Sequence, residues 1–183
     1  MVGYGDHITL NYGGAVSEGY SVVYIATAGT VSGNYFTMPN EDVTISTTTV
    51  KTTLELTAYQ ATLNGISKYW TTFYHPMASY QLSDGAQAFY MKSDKALYMV
   101  GDGDVVPKGK AVVIMANAAS IELTKVTDPS ITVIDNILVG TSAEKTVEAG
   151  TVYVMNKDAS NNVGFYQYSG TTIPANKAYI NEE

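Results

Sequence analysis

Ala88-Phe89-Tyr90-Met91-Lys92-Ser93-Asp94 and Val152-Tyr153-Val154-Met155-Asn156-Lys157-Asp158 are two versions of one phrase. Each opens a unit that also closes alike. The first ends on Pro107-Lys108-Gly109-Lys110-Ala111-Val112-Val113-Ile114, the second on Pro174-Ala175-Asn176-Lys177-Ala178-Tyr179-Ile180. The units, 85–114 and 150–180, both read as strand, polar turn, strand, Pro-x-x-Lys-Ala turn, strand. Aromatic and β-branched residues between turn residues favour the pleated strand. A proline just before the third strand removes no ladder hydrogen bond there. A single unit cannot bury its own apolar face, so the two are predicted to face one another as halves of a sandwich.

The same strand-and-turn grammar extends outward. Ile8–Tyr12 alternates before Gly13-Gly14, Tyr20–Ile25 runs toward Ala28-Gly29, and Tyr35–Met38 follows Ser32-Gly33-Asn34. Val43–Ser46 follows Pro39–Asp42, Thr52–Leu56 alternates, and Tyr69–Tyr74 is aromatic and β-branched. Gly and Asn accept positive φ and Pro presets the first turn position, which punctuates these runs. Ala111–Met115 is apolar enough for a strand buried on both faces. Lys95–Val100 holds good helix formers but is too short before Gly101-Asp102-Gly103-Asp104, so it reads as strand. Tyr59–Leu63 allows one turn of helix, yet the Asn64-Gly65 that follows reads more readily as a hairpin turn. Ala116–Ser120 is ambiguous. No stretch carries the three- and four-residue apolar spacing of a helix over a dozen positions.

The predicted fold is therefore all-β: a small repeat-like module, 1–49, followed by a larger two-sheet β-sandwich with an internal duplication, 50–183. Ser46–Lys51, polar but β-branched, is either a linker or a continuing strand. The residues before it are too few to bury a comfortable core alone, so the small module is expected to dock on the rest.

Composition narrows the function. Of 183 residues 45% are hydrophobic and 15% charged, against a usual ~25% charged, and 15 are Tyr. Ten Lys and Arg against seventeen Asp and Glu give a net charge of -7, leaving no basic field for phosphate backbones. Nucleic acid is thus not an expected partner. No run of eighteen apolar residues suggests membrane insertion of this segment, and the first thirty residues lack a signal-peptide pattern. Zero Cys removes disulfides, thiol nucleophiles and Cys-based zinc sites.

Two stretches carry a resemblance. Glu18-Gly19-Tyr20-Ser21-Val22, followed by Val31–Ile45 with its Phe36-Thr37-Met38-Pro39-Asn40-Glu41-Asp42-Val43-Thr44, resembles the internalin B-type repeats of bacterial surface proteins. It covers about the first quarter of the chain. The remainder, with Trp70-Thr71-Thr72-Phe73-Tyr74 near its start and Gly164–Tyr179 at its end, is similar to a β-sandwich module of large secreted or cell-surface proteins of gut anaerobic bacteria. What the resemblance implies is an extracellular or cell-surface adhesion-type or accessory module, with no catalytic residues to carry over.

The residues themselves offer few chemical constellations. Ser-His-Asp catalysis needs a histidine placed to take a proton, and only His7 and His75 exist, with no nucleophile elbow. The acids Asp84, Asp94, Asp102, Asp104, Asp128, Asp135 and Asp158 all sit beside turn residues, where their side chains cap backbone N–H groups. Asp102 and Asp104, on a glycine-rich loop, are the candidate calcium ligands, though without the spacing of an EF-hand. Calcium is the only cofactor suggested. Aromatic faces stack on sugars, which makes Trp70, Tyr74, Tyr166 and Tyr168 the candidate ligand-binding residues. Large aromatics in strands are more often core. Along Tyr69–Tyr74, alternation puts Tyr69, Thr71 and Phe73 on one side and Trp70, Thr72 and Tyr74 on the other. The expected function is a non-enzymatic adhesion or spacer module of a larger protein, its partner a host or microbial surface protein or glycan. The alternative is a carbohydrate-binding module accessory to a polysaccharide-degrading enzyme.

Overall fold

The computed structural model describes residues 3–182, and every regular element among them is a strand. In chain order these are β1 His7–Thr9, β2 Tyr20–Ala26, β3 Thr30–Ser32, β4 Tyr35–Thr37, β5 Ile45–Lys51, β6 Thr53–Thr57 and β7 Tyr59–Leu63. There follow β8 Ile66–Phe73, β9 Ser79–Leu82, β10 Gln87–Met91, β11 Leu97–Met99, β12 Val105–Val106, β13 Val112–Ala116 and β14 Ser120–Val126. The chain closes with β15 Val139–Gly140, β16 Lys145–Thr146, β17 Val152–Lys157, β18 Val163–Gln167, β19 Thr172–Ile173 and β20 Ala178–Asn181. No helix among the described residues is long and apolar enough to cross a membrane.

A sandwich forms the centre. One sheet has the order β11-β10-β13-β8-β7, the facing one β12-β9-β14-β6. Between them lie Phe73, Tyr80, Val112, Ile114, Ile121 and Leu123, all essentially inaccessible. Burying each such side chain is worth about 1.5–3 kcal/mol, which ties the two sheets together. β14 shows the alternation that makes this possible: Ile121 and Leu123 point inward, Glu122 and Thr124 outward. The hairpin joining β7 to β8 turns on Asn64 and Gly65, with φ of 50° and 81°, the pair of positive φ values of a type I′ turn. Tyr59–Leu63 is thus strand, not helix.

The five-stranded sheet is covered on its other face as well. A third sheet, β15-β20-β17-β18, packs there around Trp70, Met91, Ala111, Val113, Leu138 and Ala178. Val113 and Val112 are both buried although they point to opposite faces, so β13 is apolar throughout because it has no solvent side. On the far side of the third sheet the ribbon β16-β19 closes a small cluster of Val152, Ile173 and Tyr179.

The duplication reaches further than the sequence phrases. In the first unit β8 pairs with β13, β13 with β10, β10 with β11, and β9 with β12. The same four pairings recur as β15 with β20, β20 with β17, β17 with β18, and β16 with β19. Register makes the match residue by residue: Val113 lies opposite Phe89 as Ile180 lies opposite Tyr153, and Met91 opposite Leu97 as Met155 opposite Phe165. The related sheets do pack face to face, and Met91, Leu97, Ala111 and Val113 share one cluster with their counterparts Met155, Phe165, Ala178 and Ile180. The larger core, however, is made with β6 and β14, which belong to neither unit.

Toward the N-terminus, Ser46–Lys51 lies within β5, which pairs with β2 over its full length from Tyr20 opposite Lys51 to Ala26 opposite Ile45. One residue, Thr52, separates β5 from β6, and its N–H and hydroxyl both donate to the Gly19 carbonyl. Val50 and Val23 pack into the sandwich core, and the Tyr80 hydroxyl donates to the Lys51 carbonyl at 2.8 Å. A small sheet β1-β4-β3 sits beyond, centred on the fully buried Phe36. Gly29, with φ of 79°, turns beneath it where a Cβ would lie 2.7 Å from the Thr37 carbonyl oxygen. Only glycine fits both conditions.

Candidate ligand-binding cavities

Two cavities open between the related sheets. The larger, about 810 Å³, has an apolar floor of Trp70, Met91, Leu97, Met155 and Phe165, with Asn64, Lys95 and Glu182 at its margin. The smaller, about 260 Å³, lies among Tyr59, Thr71, Thr72, Tyr168 and Lys177.

The four aromatic candidates are not joined in one platform: Trp70 borders the larger cavity and Tyr168 the smaller, while Tyr74 and Tyr166 line neither. Trp70 is 3% exposed, and its ring Nε1–H donates to the Ala61 carbonyl at 3.1 Å, so it is a core residue whose ring borders the larger cavity. Tyr74 lays its ring over Gly140, where a Cβ would come within 2.1 Å of the ring, and its backbone N–H donates to the Asn176 carbonyl. The Tyr166 hydroxyl donates to the Asn162 carbonyl at 3.0 Å. Tyr168 donates its own to the Thr172 carbonyl at 2.8 Å and borders the smaller cavity. Exposed aromatics lie instead in the N-terminal part, with Tyr4 at 79% and Tyr35 at 59%.

The acidic loop stands apart from both cavities. Asp104 accepts from the Gln81 side-chain amide at 3.1 Å, and Asp102 is exposed. Among the described residues no three acidic or histidine side chains gather as metal ligands. Asp94 and Asp158 cap the equivalent turns of the two units, accepting from Ala96 N–H and from Ser160 and Asn162 N–H. Hydrogen bonds hold both carboxyls below the usual carboxylate range, led by the Tyr98 hydroxyl on Asp94 and the Asn162 backbone N–H on Asp158.

His75 is half-buried, and its Nδ1 accepts from the N–H groups of Met77 and Ala78 at 3.2 and 3.1 Å. Burial pushes its pKa down, in keeping with an acceptor role that requires a bare Nδ1. His7 lies far off in sequence, its Nδ1 3.1 Å from the Thr37 hydroxyl.

Two residues of the smaller cavity went unmarked in the sequence. Lys177 extends to the Thr71 hydroxyl at 3.1 Å, and burial lowers its pKa. The Tyr59 hydroxyl is buried with no hydrogen-bond partner, and burial, with Tyr166 as a lesser cause, raises its pKa. The repeated Pro-x-x-Lys-Ala phrase could have flagged Lys177; nothing in the sequence distinguishes Tyr59 from fourteen other tyrosines. No protein-family model, curated protein or solved structure matches this chain.

Proposed function

We propose that this chain is a non-catalytic adhesion or spacer module of a larger secreted or cell-surface bacterial protein. The supporting observation is how its parts are joined: β5 passes through the single residue Thr52 into β6, and Val50, Val23 and the Tyr80–Lys51 hydrogen bond fasten the N-terminal ribbon to the sandwich core. Such a junction resists bending between modules, which suits a segment that holds a neighbouring domain away from a surface. The resemblance of 18–45 to internalin B-type repeats points the same way. The purified chain is then expected to bind a host or microbial surface protein or glycan, or to separate domains that do. Turnover of any substrate on a glycosidase and protease panel would overturn this reading.

The inter-sheet cavities favour carbohydrate binding as the second reading, because aromatic and hydroxyl side chains border open clefts there. A glycan array probed with the chain and with Trp70→Phe and Tyr168→Phe variants separates the two. A hit weakened by either substitution supports the carbohydrate-binding module, and no hit leaves adhesion through a protein partner.

A further inference from the structure

The larger cavity is long and narrow, and strand register traces its course. Leu63 lies opposite Ile66 at the start of β8, and Trp70, further along β8, lies opposite Met115 near the end of β13. At the other end of β13, Phe89 lies opposite Val113, which puts Met91 level with Ala111. The lining therefore runs diagonally over the five-stranded sheet, from Leu63 and Asn64 at one corner, past Trp70 and Val113, to Met91, Leu97 and Lys95 at the opposite corner. At ~3.3 Å per residue this course covers on the order of 25 Å along the strands. The third sheet roofs it from Val163 in β18, through Phe165 and Met155, to Ile180 in β20. A volume of about 810 Å³ is of ligand size, and drawn out over such a length it suits a rod-like body better than a compact one.

The floor has no hydrogen bond to offer that body. The Trp70 Nε1–H is spent on the Ala61 carbonyl, and the remaining floor is aliphatic, thioether and phenyl. An oligosaccharide laid along it would leave its hydroxyls unmet. Leu63, Leu97, Met155, Val163, Phe165 and Ile180 are only partly buried, although all pack on the core cluster. A hydrocarbon chain in the cleft takes that surface out of water, and the flexible Met91 and Met155 side chains adapt to it.

Charge orients the chain. Lys95 is exposed in the turn between β10 and β11, with φ of 63°, beside Ser93 at the margin of the cavity. The neighbouring Asp94 carboxylate accepts from the Tyr98 hydroxyl and the Ala96 N–H, and the ion pair found among the described residues joins Lys108 to Asp128 elsewhere. Glu182 borders the cavity after β20 and disfavours an anion on its side. A negative head group is thus better placed at the Lys95 turn.

We infer that the larger cavity holds one extended acyl chain, with its anionic head at Lys95 and Ser93. The inference is independent of the adhesion reading and competes with the carbohydrate reading for this cavity alone. A free fatty acid and a single-chain phospholipid share the required chemistry.

Calorimetric titration of the full chain with octanoate, decanoate, dodecanoate and dodecanoyl lysophosphatidate, each below its micelle concentration, tests this. Emission of Trp70, the one tryptophan of the chain, gives a second readout from the cavity floor. Affinity is expected to rise with chain length, by up to about fourfold for each added methylene, and to reach the micromolar range for a dodecanoyl chain. Trp70 emission should change with the same midpoint, and the dodecanoyl ligand that binds more tightly identifies the source. Lys95→Asn removes the charge but keeps a residue that tolerates the left-handed turn, so it should fold normally and weaken binding several-fold. Leu97→Gln should weaken binding about tenfold by making the wall polar. Thermal melts of both variants separate loss of ligand from loss of fold. The inference is overturned if no acyl ligand binds below its micelle concentration, if affinity does not rise with chain length, or if a normally folded Lys95→Asn or Leu97→Gln variant binds as the parent does.

Discussion

Gly109 and Asn176 occupy the same turn of the two related units, with φ of 68° and 59°, and each donates its backbone N–H to the carbonyl before the second strand of its unit, that of His75 or of Thr141. The left-handed conformation is free for glycine and tolerable for asparagine, but costs other residues about 1–2 kcal/mol. At Gly109 a Cβ would meet nothing within 4 Å, so its replacement is a test of backbone conformation alone. Gly109→Ala should lower stability by about 1 kcal/mol and Gly109→Asn by less, while Asn176→Gly stays within about 0.5 kcal/mol of the parent. Urea unfolding of the three variants reads these differences directly.

Trp70 tests the layer between the related sheets. Trp70→Ala removes a ring buried on the second face of the five-stranded sheet and should cost about 3–5 kcal/mol. Trp70→Phe retains much of the packing and loses the bond to the Ala61 carbonyl, so its cost should be smaller, about 1–2 kcal/mol. Equal effects in equilibrium unfolding would mean that the hydrogen bond, not the ring volume, anchors this site.

His75 sets the response to acid. Its folded-state pKa lies below its unfolded value, so the unfolded chain binds the extra proton first as pH falls. Stability from this group is full above the unfolded pKa of about 6.5 and is lost as pH drops below it. Asn can cap the same N–H groups two and three residues on without titrating. His75→Asn should therefore retain the turn at Met77 and Ala78 and flatten the dependence of melting temperature on pH between about 7 and 5.

The alkaline limb has the opposite sign. Burial raises the Tyr80 pKa from 10.0 to about 12, and Tyr59 shifts the same way. The stability they contribute is complete below pH 10.0 and falls as pH rises from there toward about 12, because the unfolded chain ionises first. Lys177, with its lowered pKa, works against this trend, since its burial penalty fades as it loses its proton. The net expectation is a falling melting temperature above pH 10.0, less steep in Tyr80→Phe, with tyrosinate absorbance appearing in step with unfolding.

Much of this architecture was legible because strands and turns announce themselves locally. Asn64-Gly65 specified its hairpin, and the uniformly apolar Val112–Ile114 foretold a strand without a solvent side. Ser46–Lys51 reads as linker or strand because Val50 is its one apolar residue and Thr47 and Thr49 are exposed, and pairing with β2 decides it. The full extent of the duplication was hidden for a different reason. β8 and β9 match β15 and β16 by hydrogen bonding alone, a backbone property that leaves little mark when side chains have changed. Trp70 could be assigned to an alternating face, but not to a covered one, because the sheet that covers it lies about a hundred residues further along the chain. The smaller cavity was illegible for the same reason, since Tyr59 and Lys177 border it from opposite ends of the chain.

The face-to-face packing of matched positions, Met91 with Met155 and Val113 with Ile180 in one cluster, has the self-complementary character of a two-fold dimer interface. The two units thus stand to one another as the subunits of a two-fold dimer do, but within one chain. Separate units would have to find one another in solution, at a rate and extent set by concentration; joined in one chain, each carries its partner with it. Two units in one chain, unlike the subunits of a homodimer, need not be identical. Tyr80 buttresses the first while Lys145 stands at the equivalent position of the second, and His75 is answered by Thr141, so each half has been free to acquire chemistry that the other lacks.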